Sequence, residues 1–489
     1  MGALMHTPIL RKNWRSATLA LIIAVLCCAP ALAQEVQIYV SSQAGDRLAA
    51  KPAAHFAPGS GVITPGLKFQ INEGVTYQRM VGFGASFMEA GLMVINTLPA
   101  QEQEDVLRAM FDPKEGAGFT AMKTPIAGTD FMSAGPFYSY DPVPGDVQMK
   151  HFSIARDLGP NGVITYIKRA RQYGRFVLQA PMDYPPDWML VNPDTNQDVN
   201  PKYYDALARY YVRYLQDYQK NGVFIDYLSL FNEPDVYTKI PYKEITVLLR
   251  DHVAPLLEQS GLKTKLMLSE APDRDDAFSN YPILMDDPEA RKNVAVMPYH
   301  GYDFKEYSKI GELHRRYPDV PLWMTEVCYA YEAGTPKSFA LPRYEFADGD
   351  YWGQQIFNDL ENYASAWIYW NAVLDEKGGP WSVSYIHGNP DPNVQHPVVI
   401  INRQNHQVTY TGLYYYLAQF SKFVRPGAVR IETAGSYPGV RVISFKTPQG
   451  KVISELMNSR KEDVEVAIVA NGSTLPLKLP AVSITTAIW

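Results

Sequence analysis

Residues 226–235 read D-Y-L-S-L-F-N-E-P-D. Tyr227, Leu228, Leu230 and Phe231 give the first part the apolar density of a buried strand, and the run ends on Asn232-Glu233-Pro234. Proline has no N–H to donate to a sheet and a fixed φ, so it stops the strand. The result is a carboxyl group delivered at a strand's carboxyl end, where a parallel β/α barrel keeps its chemistry. A second segment, P-L-W-M-T-E-V, ends its apolar run on Glu326 in the same way. The pair Glu233 and Glu326 is therefore the candidate catalytic centre.

Working outward, strand-like and helical stretches alternate. Strands are expected at Met80–Phe83, Ala121–Ala127, Phe176–Ala180, Ile225–Phe231, Leu266–Ser269, Val294–Tyr299, Leu322–Glu326 and Ala366–Trp370. Amphipathic helices are expected at Glu89–Met110 (restarting at Leu98-Pro99), Asn161–Tyr173, Pro201–Asn221, Tyr242–Gln259, Phe304–Tyr317 and Tyr351–Tyr363. Such alternation implies a parallel sheet covered by helices, and eight units imply a closed (β/α)8 barrel. An open doubly wound sheet is the other solution, but no G-x-G-x-x-G or P-loop favours it. Glu233 ends the fourth strand of this count and Glu326 the seventh, which face each other across a barrel mouth.

Both ends of the chain read as β. Glu35 to Gln78 shows no sustained helical period. After a last helix at Tyr410–Phe423 come short strands at Val429–Thr433, Val440–Lys446, Lys451–Met457, Val464–Ala470 and Ser483–Trp489. Each end is short alone, so the two are expected to pack together as one all-β sandwich side domain. The expected division is a signal peptide at 1–33, N-terminal strands of the β domain at 34–78, the barrel at 79–408 and the C-terminal sandwich at 409–489.

The first residues have the pattern of a secretory signal: Arg11, Lys12 and Arg15, an apolar run from Leu19 to Cys28, and Ala31-Leu32-Ala33 before Gln34. That run is too short to span a bilayer securely, so no integral membrane segment is expected after cleavage, and the location is secreted or periplasmic. Cys27 and Cys28 leave with the signal. Cys328 remains, without a partner for a disulfide and without a Cys/His/Asn arrangement, as a buried spectator. The net charge of −6 has no long like-charge run behind it, which argues against nucleic acid as the main partner. The 33 tyrosines and 8 tryptophans are assigned mostly to the core. The cluster Asp273, Asp275 and Asp276 lacks the spacing of a calcium loop and reads as a solvated turn. Asp130 and Asp375 read as loop caps.

Two carboxyls at facing strand ends are what glycoside cleavage needs. In the retaining mode one protonates the leaving oxygen and the other attacks the anomeric carbon, with the two roughly 5–5.5 Å apart. At these residues the sequence resembles glycoside hydrolase family 30, the glucosylceramidase-like group of clan A. The likeness runs through G-F-G-A-S-F-M-E-A (82–90), F-D-P-K-E-G-A-G-F (111–119), T-P-I-A-G-T-D-F (124–131), F-N-E-P (231–234) and W-M-T-E (323–326). It continues in W-N-A-V-L-D-E-K-G-G-P (370–380), L-A-Q-F-S-K-F-V-R-P-G (417–427) and the closing Trp489. The resemblance implies a (β/α)8 barrel with a sandwich built from both termini. It implies Glu233 as acid/base and Glu326 as nucleophile. Asn232 would hold the sugar 2-hydroxyl, Trp370 would floor the −1 sugar site, and His300 and Tyr302 would stand near the nucleophile. Lys123 and Asn371 are further sugar-site candidates.

The sequence departs from the family pattern at three places. Glu89 stands where the family has Asp, Lys123 where it has Arg, and Pro181-Met182-Asp183-Tyr184-Pro185-Pro186 where it has S-P-W-S-P-P. Asp183 thus takes the place of a sugar-stacking Trp. The expectation is a secreted retaining β-glycosidase on a carbohydrate or glycolipid substrate, with an altered sugar site and no metal or organic cofactor. The alternatives are an endo-acting polysaccharidase on β-1,6-glucan, β-1,6-galactan or xylan, and a non-catalytic carbohydrate-binding protein on the same scaffold.

Overall fold

The computed structural model describes residues 1–2, 34–58, 66–135, 137–193, 197–236, 238–328, 330–331, 346–380 and 394–489. The expected signal segment lies outside them from residue 3 onward. Among the described residues no helix is long and apolar enough to cross a membrane.

Eight parallel strands close into a barrel: β1 (Gly82–Ser86), β2 (Ala121–Lys123), β3 (Val177–Ala180), β4 (Tyr227–Leu228), β5 (Lys265–Met267), β6 (Val294–His300), β7 (Leu322–Glu326) and β8 (Ala364–Asn371). The order around the barrel is the order along the chain, with β8 paired to β1. Early positions of these strands point inward and plug the lower barrel: Ala121, Met267, Val296, Trp323, Ala366 and Ile368 form one apolar cluster. Tyr227 meets Trp323 edge-on, ring centres 4.6 Å apart. The barrel is therefore a packed core under its mouth, as this fold requires.

β7 has its expected span, β3, β5, β6 and β8 shift by one or two residues at their ends, and the other three strands differ more. The first spans Gly82–Ser86 rather than Met80–Phe83, so it begins on one glycine and runs through the next. A Cβ on Gly82 would lie 2.0 Å from Thr120 Oγ1, and one on Gly84 2.0 Å from the Ala121 carbonyl oxygen. The glycines let β1 press against the backbone of β2. The second strand stops at Lys123, because Thr124 and Ile126 turn to bond Gln179 O and Pro181 O. The fourth is regular only over Tyr227–Leu228, yet its backbone stays tied to both neighbours beyond that point (Ser229 N to Ala180 O, 3.0 Å; Glu233 N to Glu270 O, 2.9 Å).

The tyrosines follow the helices. Helix Tyr204–Lys220 buries Tyr204, Tyr210, Tyr211, Tyr214 and Tyr218 on its barrel-facing stripe, at the three- and four-residue spacing of one helical face. The Tyr211 hydroxyl donates to Leu230 O, which pins the chain two residues ahead of Asn232. Tyr140 and Tyr218 both donate to the fully buried Asp157, and Tyr138 joins them at 3.1 Å.

The side domain is a ten-stranded sheet folded over its own apolar core. The strand Glu35–Ser42 pairs with Ser483–Ile488, and Leu67–Arg79 lies between Val429–Ala434 and Val464–Ala470. Val36, Ile38, Phe69, Ile71, Val442, Leu456, Val466, Ile468 and Leu475 fill its interior. One strand was not expected: Ser473–Leu479 turns back on Val464–Ala470. Asn471 and Gly472 make the turn at φ 50° and 75°, the backbone that Asn-Gly favours in a two-residue hairpin. Helix Gly412–Phe423 joins the two parts. Phe420 packs on Phe83 of β1 at 5.5 Å, while Gln419 Nε2 donates to Ile484 O of the sheet.

Candidate active site

The site is built from strand ends. Beyond β4, Asn232 N bonds Met182 O at 2.8 Å and Glu233 N bonds Glu270 O at 2.9 Å. These ties hold the segment between β3 and β5 while Pro234 ends it. Glu233 adopts φ 46°, in the left-handed region, which costs a non-glycine residue about 1–2 kcal/mol. The surrounding bonds over-determine it, and such strain concentrates at functional positions.

Lys123, the last residue of β2, is the hub. Its Nζ donates to Asn232 Oδ1 at 2.9 Å, Glu270 Oε2 at 2.9 Å and Glu326 Oε2 at 2.5 Å. Its three protons are therefore all spoken for, and it lies 4.9 Å from the centre of the Trp370 ring. His300, ending β6, bridges two acids: Nδ1 lies 2.7 Å from Glu233 Oε1 and Nε2 lies 3.0 Å from Glu270 Oε2. The Tyr302 hydroxyl donates to Glu326 Oε1 at 2.7 Å and lies 3.5 Å from Cys328 Sγ. Ligand atoms of Glu233, His300 and Glu326 all lie within 4.8 Å of one another. Lys123 and His300 are fully buried, whereas Glu233 and Glu326 keep 6% and 4% exposure and form the open face of the cluster.

Burial and charge set the proton positions. Burial pushes the Glu233 carboxyl up, and the neighbouring Glu326 charge adds to that against the opposing His300 bond. Burial would raise Glu270 as well, but the Lys123 charge and the His300 bond outweigh it and hold Glu270 at about 2. Burial disfavours the His300 cation, yet the Glu326 charge and the bonds to Glu233 and Glu270 lift it to about 9. Lys123 is likewise pushed up by Glu270 and Glu326 against burial. At neutral pH the site thus holds two cations, an ionised Glu270 and a Glu233 biased toward its protonated form.

The structure brings Lys123, Asn232, Glu233, His300, Tyr302, Glu326 and Trp370 together. His300 lies closest to Glu233 rather than to Glu326, which it approaches at 3.8 Å. Glu89 is engaged elsewhere: its oxygens take Arg156 Nε at 2.9 Å and Nη2 at 2.7 Å, and the Ser133 N–H and hydroxyl at 2.9 and 3.0 Å. The added methylene relative to Asp reaches this fork. Asn371 donates to Gln395 Oε1 at 2.5 Å. Asp183 is buried beside Thr129, Asp130 and Lys123. Asp130 holds the Thr129 hydroxyl at 3.0 Å inside the mouth, so it does more than cap a loop. Asp375 does cap one, accepting from the N–H groups of Lys377 and Gly379.

Glu270 carries no tripeptide motif to mark it. Its signal is the one Glu233 and Glu326 share, an acid directly after an apolar strand. As for metals, the trio Glu233, His300 and Glu326 is close enough to hold an ion, but both His300 nitrogens are already hydrogen-bonded to carboxylates. The acids at 273–276 have protein partners: Asp273 caps a helix through Asp276 N, Asp275 pairs with Lys309, and Tyr242 donates to Asp276.

Comparison with known proteins gives a consistent result. A model described as the glycosyl hydrolase family 30 TIM-barrel domain matches residues 80–424, and one for the family 30 beta sandwich domain matches residues 427–487. The putative glucosylceramidase 4 of Caenorhabditis elegans is 28% identical over 87% of this chain and 82% of its own length. The endo-1,6-beta-D-glucanase of Neurospora crassa is 27% identical over 92% of this chain and 96% of its own. The crystal structure of SrfJ from Salmonella typhimurium superposes with a TM-score of 0.83 at 21% identity, covering 93% of this chain and 99% of that one.

Proposed function

The chain belongs to glycosyl hydrolase family 30 and is a hydrolase of glycosidic bonds; we propose that it is a retaining β-glycosidase that acts through Glu233 and Glu326. The observation that carries the proposal is the spacing. The two carboxyls bring oxygens within 4.8 Å of each other, the close approach of the retaining mode rather than the wider one that leaves room for a water.

Glu326 attacks the anomeric carbon as Glu233 gives its proton to the departing oxygen, which yields a glycosyl-enzyme and a free aglycone. Glu233, now ionised, takes a proton from water. That water attacks the anomeric carbon and releases Glu326. The raised Glu233 supports the first step and the Lys123 and Tyr302 bonds orient Glu326 for attack. Lys123 also fixes Asn232 Oδ1, which leaves the Asn232 amide N–H groups for the sugar 2-hydroxyl. Neither step draws on a metal or organic cofactor.

The test is the anomer first released from an aryl β-glycoside, followed by proton NMR. A β product supports the proposal and an α product defeats it. Glu326→Gln should abolish turnover on every substrate, and added azide should restore turnover of Glu233→Ala on a substrate with a good leaving group, as a β-glycosyl azide.

A second reading, endo-action on a β-1,6-linked glucan, is supported by the Neurospora relative, which is matched over nearly its whole length. A ladder of oligosaccharide products would select it over release of single sugars. We also propose export from the cytoplasm, on the basic, apolar and A-x-A pattern of residues 11–33. A mature N-terminus at Gln34 in the exported fraction would establish it, and a chain retained in the cytoplasm with Met1 intact would refute it.

A further inference from the structure

One buried arginine grips the residues on either side of Tyr302. Arg274 opens the helix Arg274–Met285 that follows β5, and it is 1% exposed. On one side its Nε donates to Asp359 Oδ1 at 3.0 Å, and its Nη2 donates to both oxygens of Asp359 at 2.9 Å. On the other side Nη1 reaches into the segment after β6. There it donates to Gly301 O at 3.2 Å and to Asp303 Oδ1 at 2.5 Å. Tyr302 stands between those two residues, and its hydroxyl donates to Glu326 Oε1 at 2.7 Å. The far end of the arginine is well fixed. Asp359, on the helix Asp348–Glu361, also accepts from the Tyr299 hydroxyl at 3.0 Å and the Trp367 indole N–H at 3.1 Å. The Tyr307 ring lies 4.1 Å from the guanidinium carbon.

The segment after β6 needs outside support. Phe304 and Glu306 adopt φ of 51° and 60°, left-handed backbone that persists in non-glycine residues only where the surroundings over-determine it. A buried ion pair made for stability alone needs one carboxylate. This guanidinium divides its fork: Nε and Nη2 serve Asp359, and both Nη1 protons go to the neighbours of Tyr302. We propose that Arg274 is a positioning residue that sets the Tyr302 hydroxyl against Glu326 and so acts on the reaction without touching the sugar. The proposal rests on the reading of Glu326 as the nucleophile. Its physical content is orientation. Lys123 holds Glu326 Oε2 and Tyr302 holds Oε1, and two donors on two oxygens fix the plane of the carboxylate. A segment released by Arg274 would let Tyr302 withdraw and that plane turn. A misplacement of about 1 Å can lower a rate on the order of 100-fold.

The experiment is a double-mutant cycle between Asp303→Asn and Tyr302→Phe. Asp303→Asn is isosteric and takes away the charge that holds Nη1, while the Asp359 pair stays. The readouts are kcat, KM and the rate of inactivation by the 2,4-dinitrophenyl 2-deoxy-2-fluoro-β-glycoside of the best-cleaved sugar. With that probe the Glu326 carboxylate attacks the anomeric carbon, dinitrophenolate leaves, and the glycosyl ester persists for peptide mapping. Each single variant should inactivate about tenfold more slowly, with KM changed by less than about twofold. The double variant should be no slower than Tyr302→Phe alone, within about twofold. Arg274→Lys keeps the charge but cannot span Asp359 and the segment together, and should show the same non-additivity with Tyr302→Phe. Losses that multiply would overturn the proposal, because loosened packing does not depend on the Tyr302 hydroxyl; so would an Asp303→Asn enzyme as fast as wild type. Peptide mapping separates the two ideas. An ester on Glu326 with multiplying losses defeats the positioning role alone. An ester on another residue defeats the reading of Glu326, and the proposal with it.

Discussion

Lys123 Nζ stands 2.5 Å from Glu326 Oε2, and the same ammonium holds Asn232 and Glu270. One buried cation thus ties three strand ends, β2, β5 and β7, to the segment that carries Glu233. Removing it strands two buried acids at once.

Lys123→Met should therefore lower stability by about 4 kcal/mol, the scale for a buried ion pair that loses one partner. It should also lower kcat by at least about 100-fold, since Glu326 and Asn232 lose their common anchor. Lys123→Arg keeps the charge and should recover most of the stability. Urea denaturation beside steady-state kinetics checks both. A Met variant as stable as wild type would mean that Glu270 and Glu326 find other partners.

His300 sets the alkaline side of the pH profile. Its cation and hydrogen bond draw Glu233 downward against burial. Without that cation Glu233 holds its proton to higher pH. His300→Gln should thus move the alkaline limb of kcat/KM upward by about one unit, with kcat reduced. A limb that stays put or moves toward acid would show that Glu233 does not govern it.

Asp157 links stability to pH away from the site. Burial, outweighing the bonds from Tyr140, Tyr218 and Tyr138, holds its folded value at about 6, above the unfolded value of about 3.9. Between those values the folded state binds the proton more tightly, so the group's contribution is full below about pH 4 and falls away as pH rises toward 6. Asp157→Asn lacks this proton. Relative to wild type, the variant should gain about 3 kcal/mol between pH 4 and pH 7. Chemical denaturation at the two pH values measures it, and a constant difference would place the Asp157 titration elsewhere.

Gly84→Ala probes the barrel wall. Its new Cβ would meet the Ala121 carbonyl oxygen, a backbone atom that cannot swing aside. A loss of about 3 kcal/mol or more is expected, seen as a lower denaturation midpoint. A neutral substitution would show that β1 and β2 can separate without cost.

The barrel was legible because apolar strand runs alternate with amphipathic helices, and two strand ends are written in a local pattern: an apolar run, then Asn-Glu-Pro for β4 and Thr-Glu for β7. The sheet was legible as β but not in full. Ser473–Leu479 carries Pro476 and polar positions, and its real signal is the Asn471-Gly472 turn before it. Glu270 was hidden for a different reason. Its importance lies in what it touches, Lys123 and His300, and those contacts join residues far apart in the chain. The engagement of Glu89 by Arg156 is of the same kind: the Asp-to-Glu change is visible in the sequence, but the arginine it reaches is not. Composition alone placed the tyrosines in the core, and helix Tyr204–Lys220 shows how, by stacking them on one stripe.

In the side sheet, Gln37 pairs with Ile488. A chain that leaves the ribosome, or crosses a membrane, amino end first must present the early strand long before its neighbour exists. Until then the edge of Glu35–Ser42 on that side is bare, and its pairing closes a loop of about 450 residues, a contact of very high sequence separation. The barrel has every strand it needs by Asn371. Assembly therefore has a natural sequence of events: the catalytic part can form first, and the last strand to arrive seals the sheet and buries the face that helix Gly412–Phe423 shares with it. Until that strand arrives, the protein carries an open edge that must be kept from pairing with a second copy.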